Sequence, residues 1–200
     1  SLACEYLQSV EGPFWRGIRG TGLAYGANMV RLAEANCWGF NVYRAADIVK
    51  CYHVAKEIVE QHASGELEIN SSSLKGAVSM IINRIATYEH GYAEAGIANY
   101  RDNFLLNRGP HFNKSHIQRL AEVTVEDVKR ILKKYLVNLF NSEKSVVFIS
   151  CHPSKLESIE QFLESEGFIV EIEELDADDE DDEEDSEDDD GDCNGDDDHD

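Results

Sequence analysis

Apolar residues recur three or four positions apart along much of this chain, the spacing that predicts amphipathic helices. The first such stretch covers residues 2–18, and Gly12-Pro13 should interrupt or kink it. The later helices are expected to begin at polar capping residues and to end at glycine or asparagine. The expected helices cover residues 48–64 after the cap Asp47, 74–90 after the caps Ser71 to Ser73, and 128–141 with the capping pair Thr124 and Asp127. Two more are expected at about 92–106 and at 155–165.

Four segments have the pattern of strands. Residues 23–35 and 37–43 follow a glycine-rich turn, and the second segment alternates apolar and polar positions with a period of two, so we expect the two to pair. Residues 145–150 form a continuous β-branched run, and residues 168–172 alternate. With the helix between them, the last two segments predict a split βαβ unit. The predicted fold class is therefore α+β, with an antiparallel sheet packed by helices.

Charge divides the chain into two parts. The formal net charge is −22, but residues 173–200 contain 20 Asp and Glu and no Lys or Arg, whereas residues 1–172 hold 20 acidic residues against all 18 bases. We predict a domain over 1–172 and an acidic tail over 173–200 that has too few apolar residues to fold. Nucleic acid is excluded as a partner, because the domain has no excess of basic residues to neutralise phosphates.

The cysteines and the apolar segments indicate a soluble protein in a reducing compartment. The five cysteines form no CxxC pair, and an odd number favours free thiols. No apolar segment approaches the roughly 20 residues that span a bilayer, so no membrane partner is expected. The chain also has no initiator Met and opens directly on a helical pattern. We therefore expect it to begin inside a domain of a longer parent protein.

Common catalytic motifs are missing from the sequence. No two of the seven histidines lie four positions apart, so neither HExxH nor the inverted HxxEH occurs, and no metal site is expected in this chain. Gly20, Gly22 and Gly26 do not form a dinucleotide fingerprint, because GxGxxG would need glycine in place of Tyr25.

Arg19 and Tyr25 are the best-defined candidates for a functional site. Along an ideal strand they would lie about 20 Å apart, but Gly20 and Gly22 permit a tight reversal that brings them together. A guanidinium offers a planar fork to a carbonyl or carboxylate, and a phenol offers one neutral donor to a developing oxyanion. The alternative is a surface arginine in a salt bridge beside a half-buried strand tyrosine.

The sequence GPFWRGIRGTGLAYG, at residues 12–26, resembles the C-terminal half of the pitrilysin (insulinase) family of inverted zinc peptidases, closest to the presequence protease branch. The resemblance covers about residues 2–172 and rests on a helix that ends in arginine, a glycine turn, an Ala-Tyr-Gly strand start, and the helices and strands that follow. It implies an incomplete two-layer metallopeptidase domain that lacks its N-terminal elements.

The resemblance also implies a function. The parent protein would be a zinc metalloendopeptidase that degrades peptides in a closed chamber, with the zinc bound by its N-terminal half, so that this chain alone is inactive. Arg19 and Tyr25 match the family's arginine and tyrosine, which hold the substrate backbone and the oxyanion, and Gly22 lies in the same substrate-binding turn. The expected partners are a peptide substrate and the N-terminal half of the same protein.

Two other functions remain open from the sequence. The family also includes non-catalytic subunits of processing and respiratory complexes, which keep the fold without the zinc motif, although the retained Arg19 and Tyr25 disfavour this. The second is an interaction module that works through the acidic tail. The expected location is the cytoplasm, with the mitochondrial matrix as the alternative.

Overall fold

The computed structural model describes residues 2–32, 35–88 and 91–174. The chain divides into two units at residue 170, and the described residues of these units are those up to 170 and 171–174. The first unit contains all the helices and strands given below. In the second unit, residues 171–174 lie in neither a helix nor a strand. The acidic tail predicted over 173–200 lies outside the described residues from position 175 onward.

Helices account for most of the regular structure in the first unit. In chain order, the helices and strands are α1 (Leu2–Gln8), β1 (Ala24–Leu32), β2 (Cys37–Ala45), α2 (Ile48–Ser64), α3 (Ser71–Tyr88), α4 (Tyr92–Tyr100), α5 (Phe112–Ala121), α6 (Val125–Lys134) and α7 (Leu156–Ser165). Short π-helical turns occupy Trp15–Arg19 and Arg101–Leu105, and 3₁₀ turns occupy Leu136–Phe140 and Pro153–Lys155. The α+β class is confirmed, with a two-stranded antiparallel sheet. None of the helices in the described ranges is long and apolar enough to cross a membrane.

The interruption predicted in the first helical stretch is present. Helix α1 ends at Gln8, and the chain becomes helical again before the π turn Trp15–Arg19. Between them the Gly12 N–H donates to the Ser9 carbonyl at 2.8 Å. A Cβ on Gly12 would lie 2.5 Å from the Ser9 Oγ and 2.7 Å from its carbonyl oxygen, so this tight turn accommodates only glycine.

The predicted hairpin is also confirmed. β1 and β2 pair antiparallel in a register that runs from Ala24 opposite Ala45 to Leu32 opposite Cys37. β1 is attached to α1 through the Met29 N–H, which donates to the side-chain oxygen of Gln8 at 2.8 Å. The hairpin thus lies directly against the N-terminal helix.

The main core lies where the hairpin, the first π turn, α2 and the segment after α6 meet. The ring of Phe40 lies 5.1 Å from that of Phe14 and 6.0 Å from that of Phe140. The Tyr52 hydroxyl donates to the Phe140 carbonyl at 3.1 Å, so the buried phenol keeps a hydrogen bond. The largest fully buried side chains are Phe14, Leu7, Ile18, Leu132, Leu136, Val59, Val128 and Cys51.

Two predicted helix caps are confirmed and one is corrected. The Asp47 carboxylate accepts from the Lys50 N–H at 3.0 Å, and Thr124 and Asp127 form a complete capping box. At α3 the cap is Asn70, whose Oδ1 accepts from the N–H groups of the second and third helical residues at 2.8 and 3.1 Å. The serines predicted to cap this helix lie inside its first turn, because a capping side chain must stand before the first helical residue.

Two further helix boundaries differ from the prediction. Helix α5 was not predicted, because Gly109-Pro110 indicates a break and His111 gives the helix no side-chain cap. Helix α6 ends at Lys134, and the predicted continuation through Leu139 is instead the 3₁₀ turn Leu136–Phe140.

The two closing strands predicted at 145–150 and 168–172 are not formed within the described residues. Both segments lie outside helices and strands. No residue from Val146 to Cys151 makes a backbone–backbone hydrogen bond to any described residue. An alternating apolar segment becomes a strand only when a neighbouring strand supplies hydrogen bonds. The prediction of a split βαβ unit that closes the sheet was therefore wrong for this part of the chain.

Candidate functional site

Arg19 and Tyr25 flank the junction between the first π turn and the hairpin. Arg19 is the last residue of the π turn Trp15–Arg19, and Tyr25 is the second residue of β1. The Gly20 N–H donates to the Trp15 carbonyl at 2.6 Å, the i to i−5 bond that defines the wider π turn. Such turns are rare and are frequently found at functional sites.

The chain reversal between the two residues depends on one glycine. Gly22 has a φ of +77°, a left-handed conformation that side chains with a Cβ rarely adopt. Gly20 has right-handed helical angles, so the expectation that both glycines provide unusual backbone angles was only half correct. The Thr21 hydroxyl closes the turn by donating to the carbonyls of Gly17 and Ile18 at 2.8 and 3.0 Å.

The reversal brings the two side chains together, as the sequence predicted. The guanidinium carbon of Arg19 lies 5.4 Å from the centroid of the Tyr25 ring. Tyr25 is 64% exposed, and Arg19 is also exposed. Within the described ranges Arg19 forms no ion pair and the Tyr25 hydroxyl makes no hydrogen bond. Both polar groups are therefore accessible to a ligand, unlike a salt-bridged arginine and a half-buried tyrosine.

Two neighbouring residues, Tyr43 and Arg44, belong to the same surface and were missed from the sequence. The Tyr43 ring lies 6.2 Å from the Tyr25 ring in an edge-to-face arrangement. The guanidinium carbon of Arg44 lies 5.3 Å from the Tyr43 ring centroid, and Arg44 itself has a left-handed φ of 51°. The signal that could have found them is the hairpin register, which sets Tyr43 opposite Gly26, next to Tyr25.

We name Arg19, Tyr25, Tyr43 and Arg44 the arginine–tyrosine cluster. It presents two guanidinium groups and two phenols, all exposed, on one end of the hairpin. A guanidinium only donates hydrogen bonds, and a phenol donates one. The cluster can thus hold and polarise a carbonyl or carboxylate oxygen, but its arginines offer no base and no metal ligand.

Other groups with catalytic potential have structural roles. His62 is buried, with Nδ1 2.7 Å from the Ile58 carbonyl and Nε2 3.4 Å from the Tyr6 hydroxyl. Burial raises the pKa of the Cys4 and Cys51 thiols to about 11, so both stay protonated near neutral pH and are poor nucleophiles. Among the residues that the structure describes, no three His, Cys, Asp or Glu side chains are grouped to hold a metal ion.

Comparison with known proteins identifies relatives but no family. No family model matches the chain, and no solved structure matches it. The resemblance to the pitrilysin family, and the roles it implies for Arg19, Tyr25 and Gly22, therefore remain predictions.

Three proteins are similar to the chain over most of its length. The uncharacterized protein YOL098C of Saccharomyces cerevisiae is 58% identical over 179 residues, which are 90% of this chain and 17% of that protein. The uncharacterized protein C3H1.02c of Schizosaccharomyces pombe is 30% identical over 87% of this chain and 17% of its own length. The uncharacterized protein C05D11.1 of Caenorhabditis elegans is 30% identical over 78% and 16%. The chain thus spans about a sixth of the length of the relatives it matches.

Proposed function

We propose that this chain is the C-terminal, substrate-binding part of a zinc-dependent metalloendopeptidase of the pitrilysin type. The observation that carries the proposal is the 5.4 Å contact between the Arg19 guanidinium and the Tyr25 ring, made by two exposed side chains across a left-handed glycine. The much greater length of the relatives agrees with a parent protein that has a second, N-terminal half.

In this proposal the chain supplies hydrogen-bond donors to the substrate. The planar guanidinium of Arg19 binds a backbone carbonyl of the peptide, and the Tyr25 hydroxyl donates to the oxygen that becomes negatively charged during hydrolysis. No carboxylate among the described residues forms an ion pair with Arg19 or Arg44 and so competes for these donors. A surface of this kind favours an anionic oxygen over a cationic group.

The proposal also concerns where the zinc would bind. The proposal assigns the zinc to the N-terminal half of the parent protein; among the described residues no three His, Cys, Asp or Glu side chains are grouped to hold a metal ion. Zinc would be bound by the N-terminal half of the parent protein and would supply an activated water there. Arg19 and Tyr25 would act from the opposite side of the peptide, where exclusion of water by the second half would strengthen their hydrogen bonds.

We place the parent protein in the cytoplasm, with the mitochondrial matrix as the alternative. The four cysteines in the described ranges, Cys4, Cys37, Cys51 and Cys151, are free thiols. Free thiols at exposed positions such as Cys37 and Cys151 are typical of reducing compartments.

The test is hydrolysis of a quenched fluorescent peptide by the full-length parent protein. Tyr25→Phe removes one hydroxyl that makes no hydrogen bond to the described residues, so kcat should fall roughly 100- to 1,000-fold with little change in KM. Tyr135→Phe is the matched control, because Tyr135 is also exposed and has a cation, Lys134, 5.0 Å from its ring centroid. It should keep wild-type activity.

Two results would contradict the proposal. One is a Tyr25→Phe variant with wild-type kcat and an intact fold, which would remove Tyr25 from the chemistry. The other is a wild-type parent that binds no zinc and whose upstream sequence contains no HxxEH motif, which would favour the non-catalytic subunit instead.

A further inference from the structure

Two segments near the end of the first unit leave apolar side chains in solvent. Val146 and Phe148 are 96% and 88% exposed, and Ile169 is 96% exposed. Large apolar side chains of this kind are normally scattered singly on a protein surface. Here they occur on segments that the sequence predicts as strands, at 145–150 and 168–172.

Exposure along both segments alternates with a period of two. In the first segment Val146, Phe148 and Ser150 are exposed, and Val147 and Ile149 between them are half-buried. In the second, Phe168 and Val170 are half-buried on either side of the exposed Ile169. This is the period of a β-strand that covers the protein on one face. The opposite side of each segment is bare, with Val146 and Phe148 on the first and Ile169 on the second.

The backbone of these segments also makes few hydrogen bonds within the described residues. From Val146 to Cys151, and at Ile169 and Val170, no backbone–backbone hydrogen bond is made to any part of the chain that the structure describes. The last such bonds before each segment are donated by Ser145 to Asn141 and by Phe168 to Leu163. An extended apolar segment with free N–H and C=O groups is a template for a pairing strand.

We propose that residues 145–150 and 168–170, which are not strands in this chain alone, become strands in the full-length parent protein, where strands from another part of the same polypeptide pair with them. The relatives support this occupant, since 90% of this chain matches only 17% of the yeast protein, which leaves ample chain to supply strands. The proposal does not depend on peptidase activity, because it concerns backbone pairing alone.

The small size of the bare surface disfavours a second copy of this chain as the occupant. Three exposed apolar side chains and two short edges bury far less than the roughly 1,000 Å² that a stable interface between free molecules needs. Association of separate molecules also costs at least about 4 kcal/mol in lost translational and rotational freedom. A strand on the same polypeptide avoids most of that cost.

Amide hydrogen–deuterium exchange, followed by mass spectrometry, tests the proposal. In this chain alone the amides of 146–150 should exchange at unprotected rates, whereas in the full-length parent protein they should exchange about 100-fold more slowly or slower still. The amides of α7, between the two segments, serve as the control and should be protected in both. Equal, rapid exchange of 146–150 in both proteins would overturn the proposal.

A pair of variants and a mass measurement complete the test. Phe148→Asp places a charge on the bare face and should remove the protection of 146–150 in the parent protein, while Phe148→Leu keeps an apolar side chain and should retain it. In this chain alone neither variant should change the unfolding midpoint. Protection of 146–150 in this chain together with a dimer in analytical ultracentrifugation would overturn the proposal in favour of a second copy, as would unchanged protection in the parent Phe148→Asp variant.

Discussion

The guanidinium of Arg19 lies over the Tyr25 ring, with 5.4 Å between the guanidinium carbon and the ring centroid. A cation on the face of an exposed aromatic ring contributes about 0.5–1 kcal/mol. The contact uses the π face of the ring and not the hydroxyl, so it orients both side chains while their hydrogen-bond donors stay accessible. Such preorganisation lowers the cost of binding an oxygen between them.

Gly22→Ala should destabilise the chain and disturb this contact. Apart from the adjacent residues, no atom of the described residues lies within 4 Å of a Cβ built on Gly22, so the cost comes from its φ of +77° and should be about 1–2 kcal/mol. The matched control is Gly96→Ala inside α4, where an added Cβ also meets no described atom within 4 Å and φ is not positive. Gly96→Ala should stabilise by roughly 0.5–1 kcal/mol, because alanine favours a helix.

Urea unfolding of the chain measures both glycine variants. A Gly22→Ala variant that is as stable as Gly96→Ala would show that residue 22 does not need a left-handed backbone. The left-handed turn at Gly22 that brings Arg19 and Tyr25 together would then be contradicted.

The parts of the fold that were predictable are those set by local sequence. Asp47 and the pair Thr124 and Asp127 identify helix starts because a capping side chain acts within three residues. Residues 37–43 were recognisable as a strand because the alternation is visible in the segment itself, and the structure extends this strand to Ala45. The proximity of Arg19 and Tyr25 followed from the glycines between them.

The features of the fold and site that were not predicted depend on contacts between residues far apart in the sequence. Tyr43 joins the site only through the register of the hairpin, which sets it opposite Gly26. Residues 145–150 have the composition of a strand, but the presence of a pairing partner is not encoded in the segment. Helix α5 begins without a side-chain cap, so no local signal marks its start. Such features follow from tertiary packing, which overrides local preference.

The capping box of α6 should make stability depend on pH in the acid range. Hydrogen bonds from Arg130 and Thr124 lower the pKa of the Asp127 carboxyl to about 2, from an ordinary value of 3.8. Because the pKa of Asp127 is lower in the folded state, its ionised carboxyl stabilises the fold fully above pH 3.8, and this stabilisation is lost as the pH falls through about 2. Asp127→Asn should therefore be less stable than wild type at neutral pH and equal to it below about pH 2.

Urea unfolding midpoints measured from neutral pH to below pH 2 check this dependence. Glu126→Gln is the control, because Glu126 is also an acid in the first turn of α6 but takes no part in the capping box. If the stability difference between Asp127→Asn and wild type does not change with pH, ionisation of the Asp127 carboxyl is not the source of the pH dependence.

If the parent protein is the proposed peptidase, removal of the acidic tail should leave its peptide hydrolysis intact. Deletion of residues 174–200 removes charge that salt screens beyond about 8–10 Å, so peptide hydrolysis should change by less than about threefold. Solubility should fall, because net negative charge keeps molecules apart. Turnover of a basic and a neutral peptide by the two proteins measures the effect, and a selective loss for the basic peptide would show that the tail attracts substrate.

Substitutions of Arg19 in the parent protein should separate binding from catalysis. A guanidinium that holds the peptide backbone before and during hydrolysis contributes to both KM and kcat. Arg19→Ala should therefore raise KM and lower kcat. Arg19→Lys should restore activity only in part, since an ammonium lacks the planar fork. Arg44→Ala serves as the control, because Arg44 makes an equivalent contact with Tyr43, 5.3 Å from its ring, on the neighbouring strand.

The double variant Arg19→Ala with Tyr25→Phe tests whether the two side chains act on the same oxygen. If they do, the double variant should lose less activity than the product of the two single losses, since each donor depends on the other to hold the substrate. Steady-state kinetics on one quenched peptide gives all the values needed. Losses that multiply would show that Arg19 and Tyr25 act independently, and equal damage from Arg44→Ala would indicate a general electrostatic effect of the cluster in place of a specific role for Arg19.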